Sequence, residues 1–210
     1  MKNKSDSGTI DTRTRILDVA EQHFADYGYT GTSLRGIVKA AGVNVAAVAY
    51  HFGDKEVLFV EVMKRFAIPV VEQQLKTLQD AMTSKDPSID KIVRAFYGPP
   101  IMLVAGLGER GKTLSLFLGR SQTETGAVFE LVDSNFAGCR NAFIKAFREV
   151  SPKLSEADQQ WNFEFMLSLI VCFLTRQEPI RKRYEAEQNW NSDEVIDRLT
   201  KFCCNGMSKM

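Results

Sequence analysis

The sequence TSLRGIVKAAGVNVAAVAYHFGDKEVLF runs from Thr32 to Phe59 and predicts two short helices joined by a tight corner. Apolar residues recur at helical spacing after Ser33, whose hydroxyl suits a helix N-terminus. Gly42 follows a pair of alanines and can adopt the positive φ that ends a helix. Asn44 is placed to cap the second helix, which Gly53 ends. This is the helix-turn-helix arrangement, whose second helix can enter the major groove of DNA.

Outside this stretch, helical spacing dominates the chain. The first helix repeats apolar residues every four positions up to Phe24, and a later helix does so from Phe129 to Val150. The pair Pro99-Pro100 is expected to separate two helices. We therefore predict an all-α fold of about nine helices. Residues 1–56 are expected to form a three-helix helix-turn-helix domain, and residues 57–210 a second helical domain for ligand binding and dimerisation.

The composition indicates a globular chain with no overall attraction to nucleic acid. Of its 210 residues, 44% are hydrophobic and 25% are charged, and the formal net charge is +1. Residues 1–66 carry nine Lys and Arg against eight Asp and Glu, so any basic surface must be local. Residues 1–15 lack the apolar core of a signal peptide, and the most apolar segment is too short for a membrane span. We expect a cytoplasmic protein without membrane contact.

The cysteines and histidines do not indicate a catalytic or metal site. The four cysteines and two histidines share no metal-ligand spacing, and the chain contains no G-x-S-x-G turn. We therefore expect no metal, no cofactor and no enzymatic activity.

The stretch AGLGERGKT, from Ala105 to Thr113, satisfies the phosphate-loop pattern G-x-x-x-x-G-K-[ST]. A phosphate loop follows a buried strand, opens a helix and lies beside further parallel strands. The rest of the sequence predicts no further strands, which favours a glycine-rich turn between two helices. A nucleotide-binding switch that uses Gly106–Thr113 is the alternative function.

The segment from Gly28 to Leu58 resembles the N-terminal region of TetR/AcrR-type transcriptional regulators. It contains GY, TS, AGV, an Asn cap, YHF and KE at the spacing of that family. The resemblance covers about fifty residues when the first helix is included, and beyond Phe66 it is architectural only.

This resemblance implies a DNA-binding face on the second and third helices. Hydroxyl and N–H groups of Thr32 and Ser33 are expected at a DNA phosphate, Lys55 at another phosphate, and Tyr50 and His51 at the phosphate backbone. The implied DNA-contacting residues are Thr32, Ser33, Arg35, Asn44, Val45, Ala46, Ala47, Ala49, Tyr50, His51 and Lys55.

The expected recognition helix offers few groups for direct base readout. Its strong hydrogen-bonding side chains are Asn44, Tyr50 and His51, so selection is expected to rest on thymine methyl contacts and DNA shape. Arg35 and Lys39 are like charges one turn apart, which favours a nearby phosphate. A solvated face explains this pair equally well.

The C-terminal domain is rich in Phe and Met, which fits either a plain core or a ligand cavity. The family resemblance favours a cavity. The candidate cavity residues are Met102, Phe117, Phe136, Phe143, Met166 and Phe173. In this family the last two long helices pack against their copies, and here they would be residues 155–176 and 192–207.

These expectations describe a ligand-responsive regulator, a repressor that binds a palindromic double-stranded operator as a homodimer. A small apolar effector is expected to release it from DNA. A DNA-binding protein without a small-molecule effector is the second alternative.

Overall fold

The computed structural model describes residues 11–184 and 191–207, which form nine α-helices and no strand. The all-α prediction is confirmed. The helices are α1 Thr12–Gly31, α2 Leu34–Ala41, α3 Val45–Phe52, α4 Lys55–Thr83, α5 Ile89–Gly106, α6 Glu109–Ser121, α7 Ala127–Val150, α8 Glu156–Tyr184 and α9 Ser192–Met207.

Helices α1 to α3 and the start of α4 pack around a small apolar core. Ile16, Phe24 and Ile37 are buried there, together with Val48 and Phe52 of α3. Helix α4 then continues without interruption to Thr83, well beyond this core. The predicted boundary after residue 56 falls in the first turn of α4, so the two-domain division stays a prediction.

The proline pair 99–100 lies inside α5, so the expectation that it separates two helices is wrong. Proline has no N–H, and the pair therefore leaves the carbonyls of Ala95 and Phe96 without their helical donors. A side chain of α4 replaces one of those donors, because Gln74 Nε2 donates to Phe96 O at 2.7 Å. Thr77 Oγ1 lies 3.3 Å from Ala95 O but is closer to the Gln73 carbonyl of its own helix, at 2.8 Å. Hydrogen bonding from the neighbouring helix α4 thus reduces the energetic cost of the two prolines inside α5.

Replacing Gln74 by leucine is expected to lower the free energy of unfolding by about 1–3 kcal/mol, because the buried Phe96 carbonyl then lacks a donor. Urea denaturation followed by circular dichroism measures this loss. Gln73→Leu is the matched control, since Gln73 is exposed on the same helix. The control should change stability by less than about 0.5 kcal/mol. An equal loss in both variants would show that the bond to Phe96 adds nothing.

Candidate nucleic-acid interface

The two short helices α2 and α3 are capped and joined as the sequence predicts. Ser33 Oγ accepts the Gly36 N–H at 3.1 Å and begins α2. Gly42 ends it in the left-handed region, with φ of 62°. Asn44 Oδ1 accepts the Ala47 N–H at 2.8 Å and begins α3. Side-chain caps satisfy otherwise unpaired donors and fix where each helix begins.

Helix α3 has one buried face and one exposed face. Val48 and Phe52 are buried and hold the helix against the core. The Tyr50 side chain lies on the solvent side and is 85% exposed. The His51 ring is half-buried, with its centroid 5.0 Å from that of Tyr50. Four of the α3 residues expected to contact DNA are exposed: Val45, Ala46, Ala49 and Tyr50.

Ala47 differs from that expectation. Its side chain is half-buried and packs against the core. The N-terminal turn of α3 therefore exposes a narrower surface than the sequence predicts. On α2, the side chains of Ser33, Arg35 and Lys39 are exposed, and neither cation forms an ion pair with any residue the structure describes. The basic surface is local, as the balanced charge of the segment requires.

Thr32 and Lys55 require a correction, because both bind protein groups. Thr32 is 3% exposed, and its hydroxyl donates to the carbonyls of His23 at 3.0 Å and Gly28 at 2.7 Å. Lys55 Nζ donates to Tyr29 O at 2.9 Å and Thr32 O at 3.0 Å. The ammonium also lies 4.1 Å from the centroid of the Tyr29 ring. These two residues hold the end of α1 against the start of α2.

The end of α1 is also held by a residue that sequence reasoning missed. Helix α1 breaks at Gly28, where φ is 69°, and the next N–H, of Tyr29, donates to Glu124 Oε1 at 2.8 Å. Burial, followed by the carboxylates of Glu56, Asp54 and Glu124, raises the pKa of the Tyr29 phenol. No local pattern could reveal this contact, because its partners lie far apart in the sequence.

Helix α6 lies along α1 and is bonded to it at several points. Glu21 is the central one: its side chain is buried, and both carboxylate oxygens accept from Arg110, at 3.2 and 3.1 Å. The bond to Glu21 raises the pKa of the Arg110 guanidinium. A glutamate on the apolar face of α1 was the sequence signal for this contact. Further bonds join Thr113 Oγ1 to Gln22 Oε1, Arg120 Nη1 to Asp26 O, and Glu124 Oε1 to the Tyr29 N–H.

A cavity of about 590 Å³, here called the α6 cavity, lies between α5, α6, α8 and the start of α9. Its wall is largely apolar, with a hydrogen bond of 2.9 Å from Gln177 Nε2 to Ser115 Oγ on one side. The residues that line it are Ile101, Val104, Ala105, Gly108, Glu109, Gly111, Lys112, Ser115, Leu116, Phe173, Leu174, Thr175, Gln177, Pro179, Asn191, Ser192 and Val195.

Of the six expected cavity residues, only Phe173 lines the α6 cavity. Phe117, Phe143 and Met166 are core residues with no more than 1% exposure, and their volume fills helix contacts. Met102 is exposed on α5, and Phe136 is partly buried against the core. The prediction was based on composition and therefore favoured bulky residues. A cavity instead forms where side chains are small or do not reach one another.

The phosphate-loop-like stretch is a junction between two helices. Gly106 ends α5, and Gly111, Lys112 and Thr113 lie inside α6. A Cβ on Gly111 would lie 2.0 Å from Val104 O, so this glycine allows α5 and α6 to approach closely. No strand precedes the stretch among the residues that the structure describes. The stretch therefore lacks the geometry of a phosphate loop, and it offers no site for the alternative function of a nucleotide-binding switch.

Two capped helices with one exposed face, packed with further helices that enclose a cavity, define a helix-turn-helix protein. Residues 16–62 match the family described as bacterial regulatory proteins, tetR family. Residues 94–206 match the family described as tetracyclin repressor-like, C-terminal domain. The second match spans more than half of the chain, and the chain therefore belongs to the TetR family. The resemblance in the N-terminal segment is confirmed.

Individual relatives agree with this assignment. The transcriptional regulator AcrR of Shigella flexneri is 40% identical over 76 residues, 36% of this chain and 35% of AcrR. The matched curated relatives are thus covered over about a third of their length. The structure of the fatty acid degradation regulator FadR from Bacillus halodurans covers 95% of this chain and 98% of its own, with a TM-score of 0.65 and 13% identity. AibR, solved with isovaleryl coenzyme A and operator DNA, covers 91% of this chain and 97% of its own, with a TM-score of 0.64 and 20% identity.

The described residues contain neither a membrane-spanning helix nor a cluster of metal ligands. No helix among them is both long and apolar enough to cross a lipid bilayer. No three His, Cys, Asp or Glu side chains among them lie close enough to hold a metal ion.

Proposed function

We propose that this chain is a DNA-binding transcriptional regulator of the cytoplasm, a repressor that binds a palindromic operator as a homodimer. A small, mainly apolar effector in the α6 cavity releases it. The observation that carries the proposal is the exposed face of α3, where Tyr50 stands 85% exposed on a helix fixed by its cap and its core contacts. A large aromatic side chain left in solvent at this position suits a partner surface.

In the complex with DNA, the phosphate contacts come from Tyr50 and His51 of α3 and from Ser33, Arg35 and Lys39 of α2. The exposed apolar side chains of α3 face thymine methyl groups. Because α3 carries no arginine or glutamine for bidentate base contacts, DNA shape contributes much of the sequence selection. Thr32 and Lys55 take no phosphate; they set the position of α2.

Dimerisation is assigned to α8 and α9. Trp161 and Phe165 stack on α8 with ring centroids 5.6 Å apart, and Trp161 is 60% exposed. Phe202 on α9 is 69% exposed. Large aromatic rings in solvent are costly, and a second copy of the chain covers them in a two-fold interface. Two-fold symmetry matches that of a palindromic operator.

The α6 cavity supports the effector part of the proposal over an effector-free regulator. Its volume of about 590 Å³ is within the range of small-molecule sites. An effector that binds better to a dimer with wrongly spaced recognition helices shifts the population away from DNA.

Compounds that raise the melting temperature of the wild type are expected to raise that of Ala105→Phe by less, because the added ring occupies the cavity. Equal shifts in both proteins would place the compounds elsewhere.

Replacing Tyr50 by alanine is expected to weaken operator binding about tenfold or more, because a backbone contact and its stacking area are lost. Duplexes are first enriched from the genome by binding to the wild type. Fluorescence anisotropy at fixed salt then compares the wild type with the variant. Thermal unfolding should be unchanged, since Tyr50 lies in solvent.

Met102→Ala is the matched control, because it also removes a large exposed side chain, on α5. It should bind the selected duplex within about twofold of the wild type. The proposal fails if the wild type prefers no duplex over scrambled DNA at moderate salt, or if Tyr50→Ala binds as tightly as the wild type.

A further inference from the structure

Glu21 is a buried carboxylate that lies between two arginines from different helices. Arg110 of α6 donates two hydrogen bonds to it. Arg65 of α4 approaches from the other side, with Nη1 at 3.7 Å from Glu21 Oε2. One cation is bonded in this arrangement, and the other stands just beyond hydrogen-bond distance.

The second arginine is incompletely satisfied. Arg65 Nη1 is buried and has no partner in hydrogen-bond geometry. Asp18 Oδ1 lies 2.8 Å away and forms an ion pair, but its direction does not suit a hydrogen bond. Buried donors without acceptors are rare, because each one loses its bond to water. A small shift would let Arg65 complete a bond to Glu21.

The first two turns of α6 connect this cluster to the α6 cavity. Glu109, Lys112 and Leu116 line the α6 cavity on one side of the helix. The same three residues also line an open cleft of about 690 Å³ toward α1, whose other walls include Glu21 and Arg110. A molecule in the cavity that displaces this part of α6 therefore also displaces Arg110.

We propose that Glu21 is a positioning residue that exchanges arginine partners, and that this exchange couples the α6 cavity to the helix-turn-helix. With Arg110 bound, α1 is held on α6 in the DNA-competent position. When an occupant displaces the start of α6, Arg110 leaves and Arg65 takes over the carboxylate. This inference rests on the proposed function and names the residues that regulate it.

The exchange is physically favourable because a buried carboxylate cannot be left unpaired at low cost. If Arg110 were the sole partner, α6 could separate from α1 only with a large penalty. Arg65 offers a second cation for the same carboxylate, and the two alternative pairings are the two-state element that coupling requires. Removing Arg110 should therefore weaken DNA binding, whereas removing Arg65 should leave it nearly unchanged.

Arg110→Met is expected to weaken binding to the selected duplex about tenfold, because Glu21 then pairs with Arg65 alone. Arg65→Met should leave this affinity within about twofold of the wild type. Since the effector is unidentified, Ala105→Phe serves as a built-in occupant and should itself weaken binding about tenfold. In the double variant with Arg65→Met, that effect should fall below about threefold. Arg110→Lys keeps the charge and should restore most of the binding lost in Arg110→Met.

NMR of ¹⁵N-labelled arginine side chains detects the exchange of arginine partners in the absence of DNA. In the wild type, the Arg110 Nε–H bonded to Glu21 should exchange slowly with solvent. In Ala105→Phe, that protection should move to Arg65. Arg120→Met is the matched control, since Arg120 Nη1 donates to the Asp26 carbonyl across the same helix pair. Circular dichroism confirms that each variant is folded.

Several outcomes would overturn the exchange. It fails if Arg65→Met weakens DNA binding as much as Arg110→Met does, or if Arg120→Met matches Arg110→Met. It also fails if Ala105→Phe leaves both the affinity and the Arg110 signal unchanged. A wild type that binds no selected duplex would refute the proposed function instead. The NMR signals would then test the partner exchange independently of DNA binding.

Discussion

Gly111→Ala is expected to destabilise the protein by about 3 kcal/mol, because the added methyl meets backbone that cannot move aside. The ideal Cβ position is 2.0 Å from the Val104 carbonyl oxygen and 3.0 Å from its carbon. Both atoms belong to α5, so the methyl can be admitted only if α5 and α6 separate. Urea denaturation followed by circular dichroism measures the change in unfolding free energy.

Gly106→Ala is the matched control, because it makes the same change at the other fixed glycine of AGLGERGKT. Its Cβ would meet nothing within 4 Å, and it ends a helix without a positive φ. Alanine should therefore stabilise this position by up to about 1 kcal/mol. The two substitutions are expected to act with opposite signs. If Gly111→Ala were neutral, the close approach of α5 and α6 would not be required.

Phe59→Ala is expected to lower the unfolding free energy by about 3–5 kcal/mol, because the ring fills the contact between the two halves of the molecule. Its centroid lies 5.1 Å from that of Phe24 on α1 and 5.6 Å from that of Phe117 on α6. Removing it leaves a cavity that three helices share. Since these helices belong to both predicted domains, the loss of stability should appear in both domains.

Two signals monitored in one urea titration test this. Circular dichroism reports all helices, whereas fluorescence reports Trp161 and Trp190, both in the C-terminal half. The two transitions should coincide and move to lower urea together. Val57→Ala, at an exposed position of the same helix, should shift them little. An early dichroism step with unchanged fluorescence would mean that the helix-turn-helix unfolds separately.

The helix-turn-helix could be predicted because its determinants are close together in the sequence. Ser33, Gly42 and Asn44 specify two caps and a corner, and each has that role in the structure. The exposure of Tyr50 follows from its position opposite Phe52 on a short helix. Local spacing is sufficient for features of this kind.

Other features depend on partners that local spacing does not identify. Thr32 and Lys55 bind the carbonyls at the end of α1, and this requires the break at Gly28. Glu21 is a charge on the apolar face of α1, but its partner Arg110 comes from another helix. The wall of the α6 cavity is set by how helices cross, which composition does not report.

The packing of α1 against α6 also has a consequence for biosynthesis. The DNA-binding segment leaves the ribosome first, yet Glu124 follows the start of α4 by about 70 residues, or roughly 4–14 s at bacterial elongation rates. During this interval Glu21 lacks Arg110, and the part of α1 that α6 covers is exposed. Nascent chains that stop before α6 therefore expose a charged and apolar surface together, and are expected to need a chaperone until α6 is made.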